Sequence, residues 1–181
     1  MEASRDPWAA RTRKGGHVPM SEMVFGAVPV LAAVLTGLFA GLFLSFSMAV
    51  MPGLARAGDR AMIESMQGIN TAILNPLFAV VFVGAPVAAL GSTALYASSG
   101  SLRPLVWSGA GLALLLAAVV VTFAVNVPRN NSLDQAGTAE RLRDPAAVRA
   151  AFEPGWVRWN NVRSLASVAA LVCSVMALLP A

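Results

Sequence analysis

The charged residues of this chain fall in blocks, and the blocks are separated by long intervals with no charge at all. None occurs between Glu22 and Arg56, between Glu64 and Arg103, between Arg103 and Arg129, or after Arg163. A helix in water needs a polar face, whereas a helix in hydrocarbon needs about 20 apolar residues in a row. Each interval can supply one such helix. The composition agrees, with 57% hydrophobic and only 12% charged residues and a mean hydropathy of +0.68. The expected architecture is all-α: an up-down bundle of four transmembrane helices with a short amphipathic helix in the third loop. The spans are expected at about residues 23–51, 70–97, 105–127 and 159–179, within a single domain over 23–181 that follows a disordered basic tail, 1–22.

The same distribution excludes several function classes. The net charge of +4 comes from basic residues in the tail and loops beside the spans. There they set topology and meet lipid head groups, so no nucleic-acid partner is expected. Cys173 is the only cysteine and lies within a span, so no disulfide can form inside the chain. His17 is the only histidine and sits in the tail, which argues against a haem or zinc site in the bundle. No span carries the polar line of a pore or the mid-membrane charge of a stepwise transporter.

Proline and glycine punctuate the apolar runs. Pro52-Gly53 is expected to end the first span, and Gly37 and Gly41 to admit a neighbouring helix. Ser45 and Ser47 can return their hydroxyls to carbonyls of their own helix. Pro76 and Pro86 should kink or interrupt the second span, and the third should end at Asn126-Val127-Pro128-Arg129-Asn130-Asn131. In the last loop Asp144-Pro145 reads as a helix start, Val148, Ala151 and Phe152 share a face, and Pro154-Gly155 reads as the stop. Such a helix would lie on the membrane surface and deliver the chain to Trp156.

Trp156, Trp159, Asn160 and Arg163 then have the i, i+3, i+4, i+7 spacing of one helical face. Taken alone, this stripe reads first as a set of interfacial anchors and second as a ligand-facing cluster. Four antiparallel spans change the balance. They bring Gln67, Asn70, Asn75, Asn126, Asn130, Asn131, Asn160 and Arg163 to one mouth of the bundle, where a pocket can form. The loops at that mouth and the start of span 4 carry eight Lys or Arg, against five on the other side, or one if translation starts at Met20. The positive-inside rule places the mouth in the cytoplasm of a multi-pass cell-membrane protein.

Four motifs in order, G-L-F-x-x-F-S-M-A-V-M-P-G-L in span 1, M-Q-x-I-N at Met66–Asn70, N-V-P-R-N-N at Asn126–Asn131 and W-x-x-W-N-x-x-R at Trp156–Arg163, resemble the anthrone oxygenase-like integral membrane family (DUF1772). The resemblance covers about residues 25–180. It implies oxidation of a hydrophobic aromatic or polyketide-type substrate by dioxygen without metal or flavin, hence no cofactor. Under this reading Arg163, Asn160, Asn126 and Asn130 supply catalytic donors for a substrate oxyanion, and Trp156, Trp159, Asn70 and Gln67 bind the substrate. A base would come from a loop carboxylate, Asp59, Glu64, Asp134 or Glu153, with Glu64 and Glu153 nearest to the spans. Two positions depart from the family pattern. Arg129 stands where members often have leucine, and Asn161 where some have histidine. The alternative is a non-catalytic membrane protein that binds lipid or a partner helix and uses the same residues as caps and anchors. A topology reporter fused after Ala181 should lie outside the cytoplasm, and a cytoplasmic signal would reverse the assigned orientation.

Overall fold

The computed structural model describes residues 20–180 of the chain, so the tail up to Pro19, with His17, lies outside the described residues. Helix α1 spans Met20–Ser45 and continues through a π-helical turn, Phe46–Val50, into α2, Met51–Leu54. Helix α3, Asp59–Ala72, follows a short link and precedes α4, Pro76–Ser98. Helix α5, Leu102–Val121, runs through a second π-helical turn, Thr122–Asn126, into α6, Val127–Gln135. A 3₁₀ turn at Ala139–Arg141 leads to α7, Pro145–Leu178. Around the bundle α1 packs on α4 and α7, and α5 packs on the same two helices from the other side. This is the up-down ring expected for short connections between antiparallel neighbours.

Four continuous helical stretches, Met23–Leu54, Pro76–Ser98, Leu102–Gln135 and Pro145–Leu178, are long and apolar enough to cross a membrane. The distribution of side chains fits lipid as the solvent. Large apolar residues such as Val34, Leu38, Val80, Val87, Leu116 and Val120 are exposed, while Thr36, Ser108, Thr122, Asn126, Asn160, Arg163, Ser164 and Ser167 are buried. The protein is a multi-pass membrane protein built as an all-α four-helix bundle.

Three local expectations need correction, and each correction concerns a helix end. Span 2, expected from about residue 70, does not include Asn70 or its neighbour Gln67. They lie on the separate helix α3, and span 2 starts at Pro76, where the Asn75 side chain accepts from the Phe78 N–H at 3.0 Å and donates to the Ala72 carbonyl at 2.9 Å. This cap with proline in the first turn is a strong start signal. The helix of span 3 does not end at Pro128 but runs on to Gln135. The surface helix in the last loop begins at Asp144 as expected, with its side chain accepting from Ala147 N–H at 3.0 Å, yet it passes through Pro154-Gly155 and becomes span 4. Phe152 and Trp156, both buried, flank that proline with ring centroids 6.2 Å apart. Packing on both sides of Pro154 holds the helix together through the missing hydrogen bond.

The prolines Pro52 and Pro128 each follow a π-helical turn. In these turns the N–H of Met51 bonds to Phe46 O, and that of Val127 to Thr122 O, one residue further back than in an α-helix. The wider turn removes the collision between each proline ring and the carbonyl four residues before it, so the helix passes Pro128 and runs on to Gln135, while the first span ends at Leu54, just after Pro52-Gly53 as expected.

The bilayer-embedded core holds Phe39, Phe43, Phe82, Ala85, Leu115, Ala118 and Ala170. A second core at the mouth joins Met51, Met62, Ile63, Met66, Leu133, Phe152 and Trp156, so the apolar face of α3 closes that end of the bundle. The closest approach of a glycine to the backbone of another helix is at Gly111. A Cβ there would meet the Ala170 carbonyl at 3.2 Å and Cys173 Cβ at 3.3 Å, whereas one at Gly41 would meet nothing within 4 Å. The close approach therefore involves α5 and α7, not the Gly37/Gly41 pair. Gly111→Val should destabilise the protein by about 1–3 kcal/mol through overpacking, while Gly41→Val should change little, as read by thermal unfolding in detergent.

Candidate functional site

The inner face of α7 carries Trp156, Asn160, Arg163 and Ser167, all buried, and the two π-helical turns face it from α1 and α5. Arg163 is 6% exposed. Its Nε and one terminal nitrogen donate to Asn160 Oδ1 at 3.2 and 3.0 Å, and the other terminal nitrogen donates to Thr122 Oγ1 at 3.3 Å. Its Cζ lies 4.1 Å from the Phe43 ring centroid and 5.4 Å from that of Trp156. Asn160 is itself anchored to α1, donating to Phe43 O at 3.2 Å and Ser47 Oγ at 2.8 Å. Ser47 also bonds Ser164 at 3.0 Å.

Among the described residues no carboxylate pairs with Arg163; the two ion pairs found there join Arg149 to Asp59 and to Glu153. A guanidinium has five N–H donors, and the three bonds above leave two without a protein acceptor. A buried charge compensated only by neutral groups and ring faces is costly to keep. It is also ready to receive an anion.

Arg163 borders a cavity of about 400 Å³. The aromatic walls are Phe43, Phe46, Phe78, Phe82, Phe123 and Trp156, while α3 contributes Met66, Ile69 and Asn70. Thr122, Asn126, Asn130, Asn131 and Asp134 line the side made by the third span. This volume is in the range of small-molecule sites, and so is the pattern of apolar walls with a few polar groups. Two buried polar atoms in the wall have no partner, Asn126 Oδ1 and Asn70 Nδ2. The Asn126 amide nitrogen donates to Trp156 O at 3.4 Å, so its oxygen is the free end. Trp156 Nε1 donates to Asn130 Oδ1 at 2.8 Å, which sets the indole in place.

The structure thus brings Arg163, Asn126, Asn130, Trp156 and Asn70 together at one cavity. Asn160 does not line it; it stands behind Arg163 and orients the guanidinium instead of facing Asn126 and Asn130. Trp159 is half-buried and Gln67 is engaged elsewhere, its amide donating to Leu133 O and Gly137 O at 3.0 Å each, which ties α3 to the end of α6. Neither belongs to the cavity wall. Glu153 is bound to Arg149 at 2.6 Å and Glu64 is exposed away from the cavity, whereas Asp134 is the carboxylate in its lining. Arg129 is not in this wall either.

Sequence reasoning missed Phe43 and Thr122, gave Ser47 only a bond within its own helix, and ranked Asp134 behind Glu64 and Glu153 as a base. Ser47 and Thr122 lie in the π-helical turns ahead of Pro52 and Pro128, and a proline inside an apolar run was the available signal for both. Ser45, by contrast, bonds back to Leu42 O at 2.7 Å as serines in apolar helices commonly do. No group of three or more His, Cys, Asp or Glu is placed to hold a metal ion among the described residues.

The family model described as anthrone oxygenase matches residues 76–173, which includes Asn126, Asn130, Trp156, Asn160 and Arg163. The chain belongs to the anthrone oxygenase family. No curated protein and no solved structure matches it. Within this member of the anthrone oxygenase family, Asn160→Leu would remove the acceptor for two guanidinium donors and a link to α1. It should lower stability by about 2–3 kcal/mol, whereas Asn161→Ala, one residue on and exposed, should stay within about 0.5 kcal/mol; chemical denaturation in detergent measures both.

Proposed function

We propose that the protein binds a flat hydrophobic aromatic molecule in the cavity beside Arg163 and oxygenates it with dioxygen. The observation that carries this reading is the buried guanidinium, with no carboxylate partner among the described residues, in an aromatic-walled cavity. An anthrone-type substrate supplies the missing charge when it loses a proton from the CH₂ opposite its carbonyl. The resulting enolate oxygen is the counter-ion for Arg163, and the preset donor lowers the free energy of the enolate and of the transition state leading to it.

Asp134, the carboxylate of the lining, is the proposed base. The enolate carbon gives its electrons to dioxygen and a carbon–oxygen bond forms. The peroxide anion takes back a proton, and the hydroperoxide loses a second C–H proton and hydroxide, which leave together as water. The CH₂ carbon becomes a carbonyl, and one dioxygen supplies both its oxygen and that of the water. No outside reductant is required. Trp156 and the phenylalanines hold the ring system by stacking, and Asn126 and Asn70 have free atoms for substrate oxygens.

The alternative, a lipid- or helix-binding protein without catalysis, predicts no closed pocket behind Arg163 and Asn126; the partly open cavity of about 400 Å³ there, with the unpartnered Asn126 Oδ1 in its wall, supports the oxygenase reading. With purified protein and an anthrone in an oxygen electrode, uptake should exceed the spontaneous rate. Arg163→Met should lower the protein-dependent rate by about 10²–10³-fold, the scale of losing one oxyanion donor. Asp134→Asn should lower kcat while leaving binding of the product quinone intact. Absence of protein-dependent uptake, or an undiminished rate in folded Arg163→Met, would exclude this function.

A further inference from the structure

A second concavity, of about 380 Å³, lies between α6 and the first turns of α7, away from the aromatic cavity. Leu133, Ala136, Val148, Ala151 and Phe152 make its apolar lining, and Ser132 and Arg129 are its polar residues. Among the described residues no carboxylate lines it. Arg129 has no ion pair among the described residues, and its Nε is buried without a hydrogen-bond partner. The guanidinium lies flat against Gly155, where a Cβ would stand 2.8 Å from Cζ and 2.9 Å from a terminal nitrogen. Glycine at this position is what lets the cation into the groove.

The place of the groove in the fold indicates what covers it. Helix α6 is the polar continuation of the third span, and the first turns of α7 precede the apolar part of the fourth. The groove therefore lies at the level of the lipid head groups, with an apolar trough beside an unpaired cation. An anionic phospholipid has both complements, a phosphate that accepts two parallel guanidinium hydrogen bonds and an acyl chain for the trough. A zwitterionic lipid brings its own cation to the same phosphate and gains less from Arg129.

We propose that this groove is a binding site for an anionic phospholipid, with the head-group phosphate on Arg129 and a chain along Val148, Ala151 and Phe152. The site joins α6 to α7, so occupancy stabilises the mouth of the bundle, and it is independent of any reaction in the aromatic cavity.

The test is thermal unfolding of the full chain in a neutral detergent with dioleoyl phosphatidylglycerol, with dioleoyl phosphatidylcholine at the same mole fraction, or with inorganic phosphate alone. Phosphatidylglycerol should raise Tm by about 3–6 °C at tenfold saturation, and the other two additions should not. Arg129→Gln should abolish the increment, whereas Arg158→Gln, at an exposed position on α7, should retain it. Gly155→Ala, which crowds the guanidinium, should reduce the increment and gives a second reading if Arg129→Gln does not fold. Equal shifts with both lipids, or a full increment in Arg129→Gln, would overturn the proposal. A matching shift with phosphate alone would overturn the lipid as its occupant.

Discussion

The grip of Asn160 on Arg163 is the interaction on which the mouth of this bundle depends. One carboxamide oxygen receives two guanidinium donors, and the same carboxamide's nitrogen holds the backbone of α1 at Phe43 and the hydroxyl of Ser47. The charge is thereby oriented without being neutralised. A carboxylate at position 160 would pair with Arg163 and cancel its field, leaving nothing for a ligand to complete. The amide gives geometry alone, and the ring faces of Phe43 and Trp156 provide a soft electrostatic environment until an anion arrives.

The two π-helical turns are the backbone counterpart of this arrangement. Each absorbs a proline at the same end of the bundle, and each carries a hydroxyl that holds a polar side chain of α7: Ser47 for Asn160 and Thr122 for Arg163. An ordinary α-helical turn would have to break or bend at Pro52 and Pro128. The extra residue in each turn lets the helix pass, and the widened backbone is where the polar network attaches. Local irregularity and the charged site are therefore parts of one solution.

The four spans were legible in the sequence because hydrocarbon tolerates so few charges that gaps between Glu22, Arg56, Glu64, Arg103, Arg129 and Arg163 mark helices directly. Helix ends were less legible. Asn75-Pro76, Pro128 and Pro154-Gly155 all look like breaks, yet only the first is one, because tertiary packing around Phe152 and Trp156 and the π-helical turns carry the chain past the others. For the cavity, convergence of Asn70, Asn126, Asn130, Trp156 and Arg163 followed from antiparallel topology alone. Which face of each helix turns inward did not. The buried line on α7 runs through Trp156, Asn160, Arg163 and Ser167 in heptad-like steps, and Trp159 falls at its edge. Gln67 could not be placed from spacing, since its partners, Leu133 O and Gly137 O, are distant in sequence.

The family match and the cavity have different extents, and the difference separates two jobs within the site. Residues 76–173 contain the donors and the carboxylate: Asn126, Asn130, Asp134, Trp156 and Arg163. Phe43 and Ser47, which support the guanidinium, and Met66, Ile69 and Asn70, which cover part of the cavity, come from α1, the π-helical turn after it and α3, outside that segment. The polar groups alone would form an open cleft between α4, α5 and α7. Helix α3, held by Met62, Ile63 and Met66 and by the Gln67 amide, covers part of that cleft and narrows its opening. Exclusion of water is what makes a single buried guanidinium effective, because its field is weakened wherever solvent reaches it. The charge of Arg163 and the apolar cover of α3 are therefore needed together, although they lie far apart in the chain.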